Sequence, residues 1–229
     1  MKLTDQQIRT VLRARTLTWT GIAATFVLGA LAMLAFPSGD EGVRGGYSFG
    51  HHFLSAMGKT RVNGSVSNTV SCLLFNGALV QVGIVLAIFW NARAVFLTRP
   101  AVRWAVRGCG LGMALAMAGI GCTPYDLLPR VHDPMTHTVV FFGVICFGLC
   151  LHWSPPGFES KKARIFWLGL LLAAGVAQGV FAALAAKGAM PGRPALPLMQ
   201  KLFVLLLAAW AGWQGVLFGR AVRSGTKSP

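Results

Sequence analysis

The sequence predicts an all-α polytopic membrane protein, a bundle of six transmembrane helices with both termini cytoplasmic. Three observations carry that prediction. Hydrophobic side chains make up 55% of the 229 residues and charged ones only 12%, about half the charged share of an average soluble domain, so the chain cannot cover itself with charge in water. Its apolar residues gather into runs long enough to cross a bilayer instead of forming ordinary core helices. Its basic residues are divided unequally between alternate loops.

The expected spans are 17–36, 69–90, 104–123, 135–153, 165–186 and 202–219. Each can cross a hydrocarbon core of ~30 Å as a helix at roughly 1.5 Å per residue. Hydrocarbon offers no partner to backbone polar groups, so such runs must be helical, and alternating segments of the kind a β-barrel needs are absent. The first run follows Lys2, Arg9, Arg13 and Arg15 but is too long for a signal h-region and ends in Leu34-Ala35-Phe36-Pro37 without a small-residue cleavage site. It reads as a retained helix. The whole chain, 1–229, reads as one membrane domain with a long outer loop at 37–68.

Basic residues orient the bundle through the positive-inside rule. One side holds Lys2, Arg9, Arg13 and Arg15, then Arg93, Arg99, Arg103 and Arg107, then Lys161, Lys162 and Arg164, and finally Arg220, Arg223 and Lys227. The other holds only Arg44, Lys59, Arg61, Arg130, Lys187, Arg193 and Lys201. The net charge of +15 is therefore a topology signal and an attraction to anionic lipid headgroups, and no nucleic-acid partner is expected.

Between helices in lipid, small residues set how closely backbones approach. The pairs Gly108/Gly112, Gly175/Gly179 and Gly215/Gly219 have G-x-x-x-G spacing. Packing within the bundle is favoured for them, with a homo-oligomer face as the alternative. Asn76, Gln81, Gln178 and Gln214 fall inside spans and are expected to hydrogen-bond between helices. No Asp, Glu, Lys or Arg lies near the middle of a span, which weighs against a proton-coupled pump or transporter.

Chemically capable side chains gather at the outer face. The first loop carries Tyr47, His51, His52, Ser55, Lys59, Arg61 and Asn63, the third carries Asp126, Arg130, His132 and Asp133, and His137 follows one turn into the fourth helix. An interfacial helix is expected around 49–57, which would make Ser55 and Lys59 neighbours one turn apart. Asp133-Pro134 is the grammar of a helix N-cap and first position. Three chemistries could use the cluster. Ser55, His137 and Asp126 could form a nucleophilic site, the ring taking the hydroxyl proton and the carboxylate orienting the ring. His51 or His52 with Asp126, His132 and His137 could ligate zinc. Lys59, Arg61 and Arg130, with His52, Asn63 and His132, could bind a lipid headgroup. The five cysteines offer no exposed pair and read as small packing residues.

The run Phe53-Leu54-Ser55-Ala56-Met57-Gly58, then Asn63, Asn68 and Phe75-Asn76, and later Gly119-Ile120-Gly121-Cys122-Thr123-Pro124-Tyr125-Asp126 with His137, resembles an uncharacterised prokaryotic family of six-helix membrane proteins. The resemblance extends over about residues 15–220. In architecture that family is similar to the FRAG/DRAM/Sfk-type membrane proteins, some of which are linked to lipid handling. The leading reading rests on Ser55, Asp126, His132 and His137 falling at one depth: an inner-membrane protein whose outer-face pocket binds or processes a lipid or lipid-linked headgroup, as a hydrolase or transferase if an enzyme. A non-enzymatic scaffold is the second reading and a small-molecule transporter the third. No cofactor follows from these residues.

Overall fold

The computed structural model describes residues 3–38, 45–155, 157–186 and 195–225. Six helices follow in chain order: α1 Asp5–Leu34, α2 Thr69–Ala94, α3 Pro100–Cys122, α4 Pro129–Trp153, α5 Lys161–Ala186 and α6 Ala195–Gly225. Between α1 and α2 lie a 3-10 turn, Leu54–Ala56, and an antiparallel hairpin pairing β1 Arg61–Val62 with β2 Val66–Ser67. Among the described residues, α1, α2, α3, α4 and α6 are long and apolar enough to cross a membrane. The sixth, α5, runs 26 residues and carries no charge beyond Arg164. The protein is an all-α polytopic bundle, as its composition predicts.

α1 and α4 outrun the apolar stretches because local devices, rather than hydropathy, set where they begin. α1 begins at Asp5, where Thr4 Oγ1 accepts from the Gln7 N–H at 3.3 Å and Gln7 Oε1 accepts from the Thr4 N–H at 2.9 Å, a reciprocal capping box. α4 begins at Pro129, so the expectation that Asp133 caps the fourth helix is corrected: Asp133 and Pro134 lie inside it. Pro129 already holds the first position with its φ preset. The bond Pro134 cannot give would go to the carbonyl of Arg130, an exposed residue at the bundle's end. Arg130 and His132 are thus helical residues. Lys201, expected in the fifth loop, lies in α6 and is 4% exposed. The expected helix over 49–57 is also corrected to the three-residue turn at Leu54–Ala56, so Ser55 and Lys59 do not face each other across a helical turn.

α2 packs between α1 and α3, α3 against α4, α1 against α6 and α6 against α5, while α4 and α5 touch lightly. The α2–α3 contact is backbone on backbone. A Cβ on Gly83 would sit 2.7 Å from the Ala114 carbonyl oxygen, and one on Gly121 2.5 Å from that of Asn76. Among the expected G-x-x-x-G pairs, Gly215 and Gly219 take Trp19 and Arg15 of α1, whereas Gly108 and Gly179 face open space. Thr25 of α1 donates to Gln81 Oε1 of α2 at 3.0 Å, the interhelical bond expected of that amide. Asn76 and Gln214 bond to loop residues instead. The Gln178 side chain lies outside the described residues, as do Lys2, Asp40, Glu41, Arg44, Lys187, Arg193 and Lys227.

Two apolar clusters close the ends. One joins Phe89, Trp90, Phe96, Phe158, Trp210 and Phe218. At the other, Ala32, Phe36, Ala56, Met57 and Val62 bury the root of the hairpin.

Candidate functional site at the hairpin end

The first two turns of α2 present a row of polar side chains to the loop before them. Asn68 Nδ2 donates to the carbonyls of Met57 at 3.1 Å and Lys59 at 2.8 Å. Ser71 donates to Met57 at 3.4 Å, Cys72 to Gly58 at 3.3 Å and Asn76 Nδ2 to Gly58 at 3.1 Å. Three consecutive carbonyls, which an extended loop would otherwise leave without partners in a buried setting, are satisfied from one helix face. Gly58 is required there, because a Cβ would stand 2.6 Å from Asn76 Oδ1.

Asp126 grips the same loop from the α3–α4 turn. Its carboxylate accepts from the Thr60 N–H at 3.0 Å, the Thr60 hydroxyl at 2.6 Å and the Arg61 N–H at 3.1 Å. Burial raises its pKa, but these hydrogen bonds outweigh it and hold the carboxyl below its ordinary range. The strand that follows turns back at Asn63-Gly64, both at left-handed φ of 50° and 71°, the residue types that tolerate such a hairpin turn.

α6 makes the third attachment. Gln200 Oε1 accepts from the Leu54 N–H at 2.8 Å, and Lys201 Nζ donates to the His52 carbonyl at 2.6 Å and to that of Pro197 at 3.2 Å. The Lys201 ammonium lies 4.9 Å from the centre of the Phe49 ring and 5.4 Å from that of Tyr47, within cation–π range. Tyr47 donates its hydroxyl to the same His52 carbonyl at 3.1 Å, and burial pushes that phenol's pKa up. His52 is buried, with Nδ1 accepting from the Ser48 N–H at 2.8 Å. That acceptor role places the ring proton on Nε2 in the neutral form. The adjacent His51 is exposed and its Nδ1 meets the Ser48 hydroxyl at 3.0 Å.

The expected site residues therefore sort into four groups. Asp126 and His52 lock the loop in place. His132 is occupied by the Thr123 carbonyl at 2.7 Å and lies edge-on to Tyr125. Ser55 sits half-buried in the 3-10 turn, and His137 is exposed on α4. Among the described residues neither is hydrogen-bonded to Asp126, and no three His, Cys, Asp or Glu side chains converge as a metal requires. Arg61, Asn63 and Arg130 are exposed and Lys59 half-buried around the same mouth. They share the rim with Phe49, Phe53, Leu127, Leu128 and Val131, all exposed.

Residue typing alone missed Thr60, Gln200 and Lys201. The readable signal was a Gln-Lys pair just after Pro197 at the edge of an apolar run, since an amide and a cation there must find partners or snorkel. No protein-family model matches this chain, nor does any curated protein or solved structure.

Proposed function

We propose that this integral membrane protein binds an anionic lipid headgroup at the mouth formed by the first loop and the α3–α4 turn. The observation that carries the reading is the rim itself. Lys59, Arg61 and Arg130 share the first loop and the α3–α4 turn with exposed Phe49, Phe53, Leu127, Leu128 and Val131, the pairing of cation and apolar surface that suits a phosphate-bearing interface. Binding is favoured over processing because Asp126 commits its carboxylate to Thr60 and Arg61 instead of orienting His137. The same proposal sets the protein in the inner membrane with both termini cytoplasmic, so that the rim meets the outer leaflet.

Full-length protein in nanodiscs of phosphatidylcholine with a graded share of phosphatidylglycerol tests this. Native mass spectrometry should show the anionic lipid enriched on the protein. Each of K59A, R61A and R130A should lower that enrichment about fivefold, in line with roughly 1 kcal/mol per basic residue at the surface. Equal retention by wild type and the triple variant would sink the reading.

A scaffold role has one observation in its favour. A Cβ on Gly179 would meet nothing within 4 Å, and one on Gly175 only Phe203 at 4.0 Å. This part of the α5 face is free to receive a second copy, and bulky substitution at Gly179 would then change the oligomeric state.

A further inference from the structure

At the end of the bundle opposite the hairpin, a cavity of about 30 Å³ lies between α2, α4, α5 and α6. Its wall brings Arg93, Glu159, Arg164 and Gln214 together beside the rings of Trp167 and Trp210. Arg93 and Gln214 are each 1% exposed and Glu159 6%. In the sequence these charges look like solvated loop residues, yet the fold draws them inside.

Their hydrogen bonds leave a specific remainder. Arg93 donates from Nη2 to Ser154 Oγ and lays its guanidinium 4.4 Å from the centre of the Phe158 ring. Its Nε and Nη1 have no partner among the described residues. Arg164 donates from Nη1 to the carbonyls of Leu151 at 2.7 Å and Ser154 at 3.2 Å, and its Nε has none. Glu159 Oε1 accepts from Trp213 Nε1 at 3.0 Å and Gln214 Nε2 at 3.3 Å. Those bonds fix which way the Gln214 amide faces, because a flipped amide would set oxygen against carboxylate. Gln214 Oε1, turned away, is also unpaired. Three donor nitrogens and one acceptor therefore have no partner among the described residues, in a wall whose two guanidiniums and one carboxylate leave a net single positive charge.

Unpaired buried donors on a cation are costly, so the fitting occupant brings negative charge, several acceptors and one hydrogen to donate. Water brings no charge. A carboxylate or sulfate has no hydrogen for Gln214 Oε1 at neutral pH, and an ammonium would face two guanidiniums. A phosphate group, whose second pKa is about 6 in a monoester, carries oxyanion oxygens throughout and keeps a P–OH beside them at and below that pH. A single water needs roughly 10–15 Å³ of such space, so the cavity takes a group of phosphate's size and little more. We propose that this cavity binds a phosphate group, Arg93 and Arg164 donating to its oxygens and Gln214 accepting from its hydroxyl. The group belongs either to free inorganic phosphate or to phosphatidic acid, and this site is separate from the rim at the hairpin end.

The test uses the full chain in maltoside detergent, with radiolabelled inorganic phosphate in equilibrium dialysis, and in nanodiscs containing phosphatidic acid read by native mass spectrometry. One of the two sources should bind saturably, one per chain. Saturable inorganic phosphate identifies the free ion, and retention of phosphatidic acid alone identifies the lipid. At about pH 6, where the P–OH is populated, sulfate should compete at least tenfold more weakly. R93Q should weaken binding about tenfold or more. Q214L, which leaves both guanidiniums in place, should narrow the gap between phosphate and sulfate. Circular dichroism and gel filtration establish that each variant is folded. Absence of saturable binding of either source by folded wild type, equal affinity for sulfate, or affinities unmoved by both substitutions would each overturn the proposal.

Discussion

Asp126 and Thr60, 66 positions apart in the chain, are joined through both the N–H and the hydroxyl of the threonine, the latter at 2.6 Å. This contact ties the α3–α4 turn to the loop before α2. Replacing the carboxylate, as in D126A, should release the loop without unfolding the bundle. Because Asp126 is exposed, its bonds compete with water and the loss should be about 1–2 kcal/mol, roughly tenfold in local opening. Hydrogen exchange at the Thr60 and Arg61 amides measures it directly, and unchanged protection there would contradict the latch.

The same latch sets a pH dependence. The hydrogen bonds from Thr60 and Arg61 outweigh burial and hold the Asp126 pKa below its ordinary value of 3.8. A depressed carboxyl pKa contributes stability that is fully present above the unfolded-state value, about 3.9, and is lost as pH falls through the folded-state value. Exchange protection of Thr60 should therefore stay flat through neutral and mildly acidic pH and fall only below about pH 4. In D126N that acid step should disappear. A midpoint near pH 6 would point to a histidine instead.

Lys201 and Tyr47 both donate to the His52 carbonyl, so their contributions should not add. K201M leaves that carbonyl with the phenol, and Y47F leaves it with the ammonium. Each should cost about 1–3 kcal/mol, and the double variant should differ from the sum by 0.5 kcal/mol or about that much. Thermal or denaturant unfolding of all four proteins in detergent completes the cycle. Strict additivity would mean the carbonyl is not shared.

Gly83→Ala and Gly121→Ala each force a Cβ against an opposing backbone oxygen at 2.7 and 2.5 Å, and rigid backbone cannot step aside as a side chain can. A loss of about 1–3 kcal/mol is expected for each. Gly108→Ala, with open space around its Cβ, should leave stability unchanged. Thermal unfolding in a single detergent ranks the three, and equal effects would remove Gly83 and Gly121 as the closest approach.

That contrast shows what the sequence can reveal in a chain of this kind. Hydropathy located all six helices, because hydrocarbon permits few other solutions. It did not locate their ends, which depend on Thr4 and Gln7 or on Pro129, local devices outside the apolar runs. Spacing alone treated Gly108/Gly112 and Gly215/Gly219 alike, yet only the second pair lies in a helix contact along its whole length, because the rotation of each helix is fixed by its neighbours. At the mouth, residue type singled out Asp126 as catalytic and His52 as a binding residue, and the fold uses both to hold a loop. Thr60 and Gln200, chemically ordinary, became visible only once two distant segments met.

The capping box at Thr4 makes α1 30 residues long, and α6 runs 31. Each is about 45 Å from end to end, against a hydrocarbon core of about 30 Å. Trp19 and Arg15 lie against Gly215 and Gly219, so the start of α1 and the end of α6 overhang together, carrying Arg9, Arg13, Arg15, Arg220 and Arg223. Such a paired overhang lets the bundle lean to match bilayers of different thickness while its guanidiniums stay among headgroups.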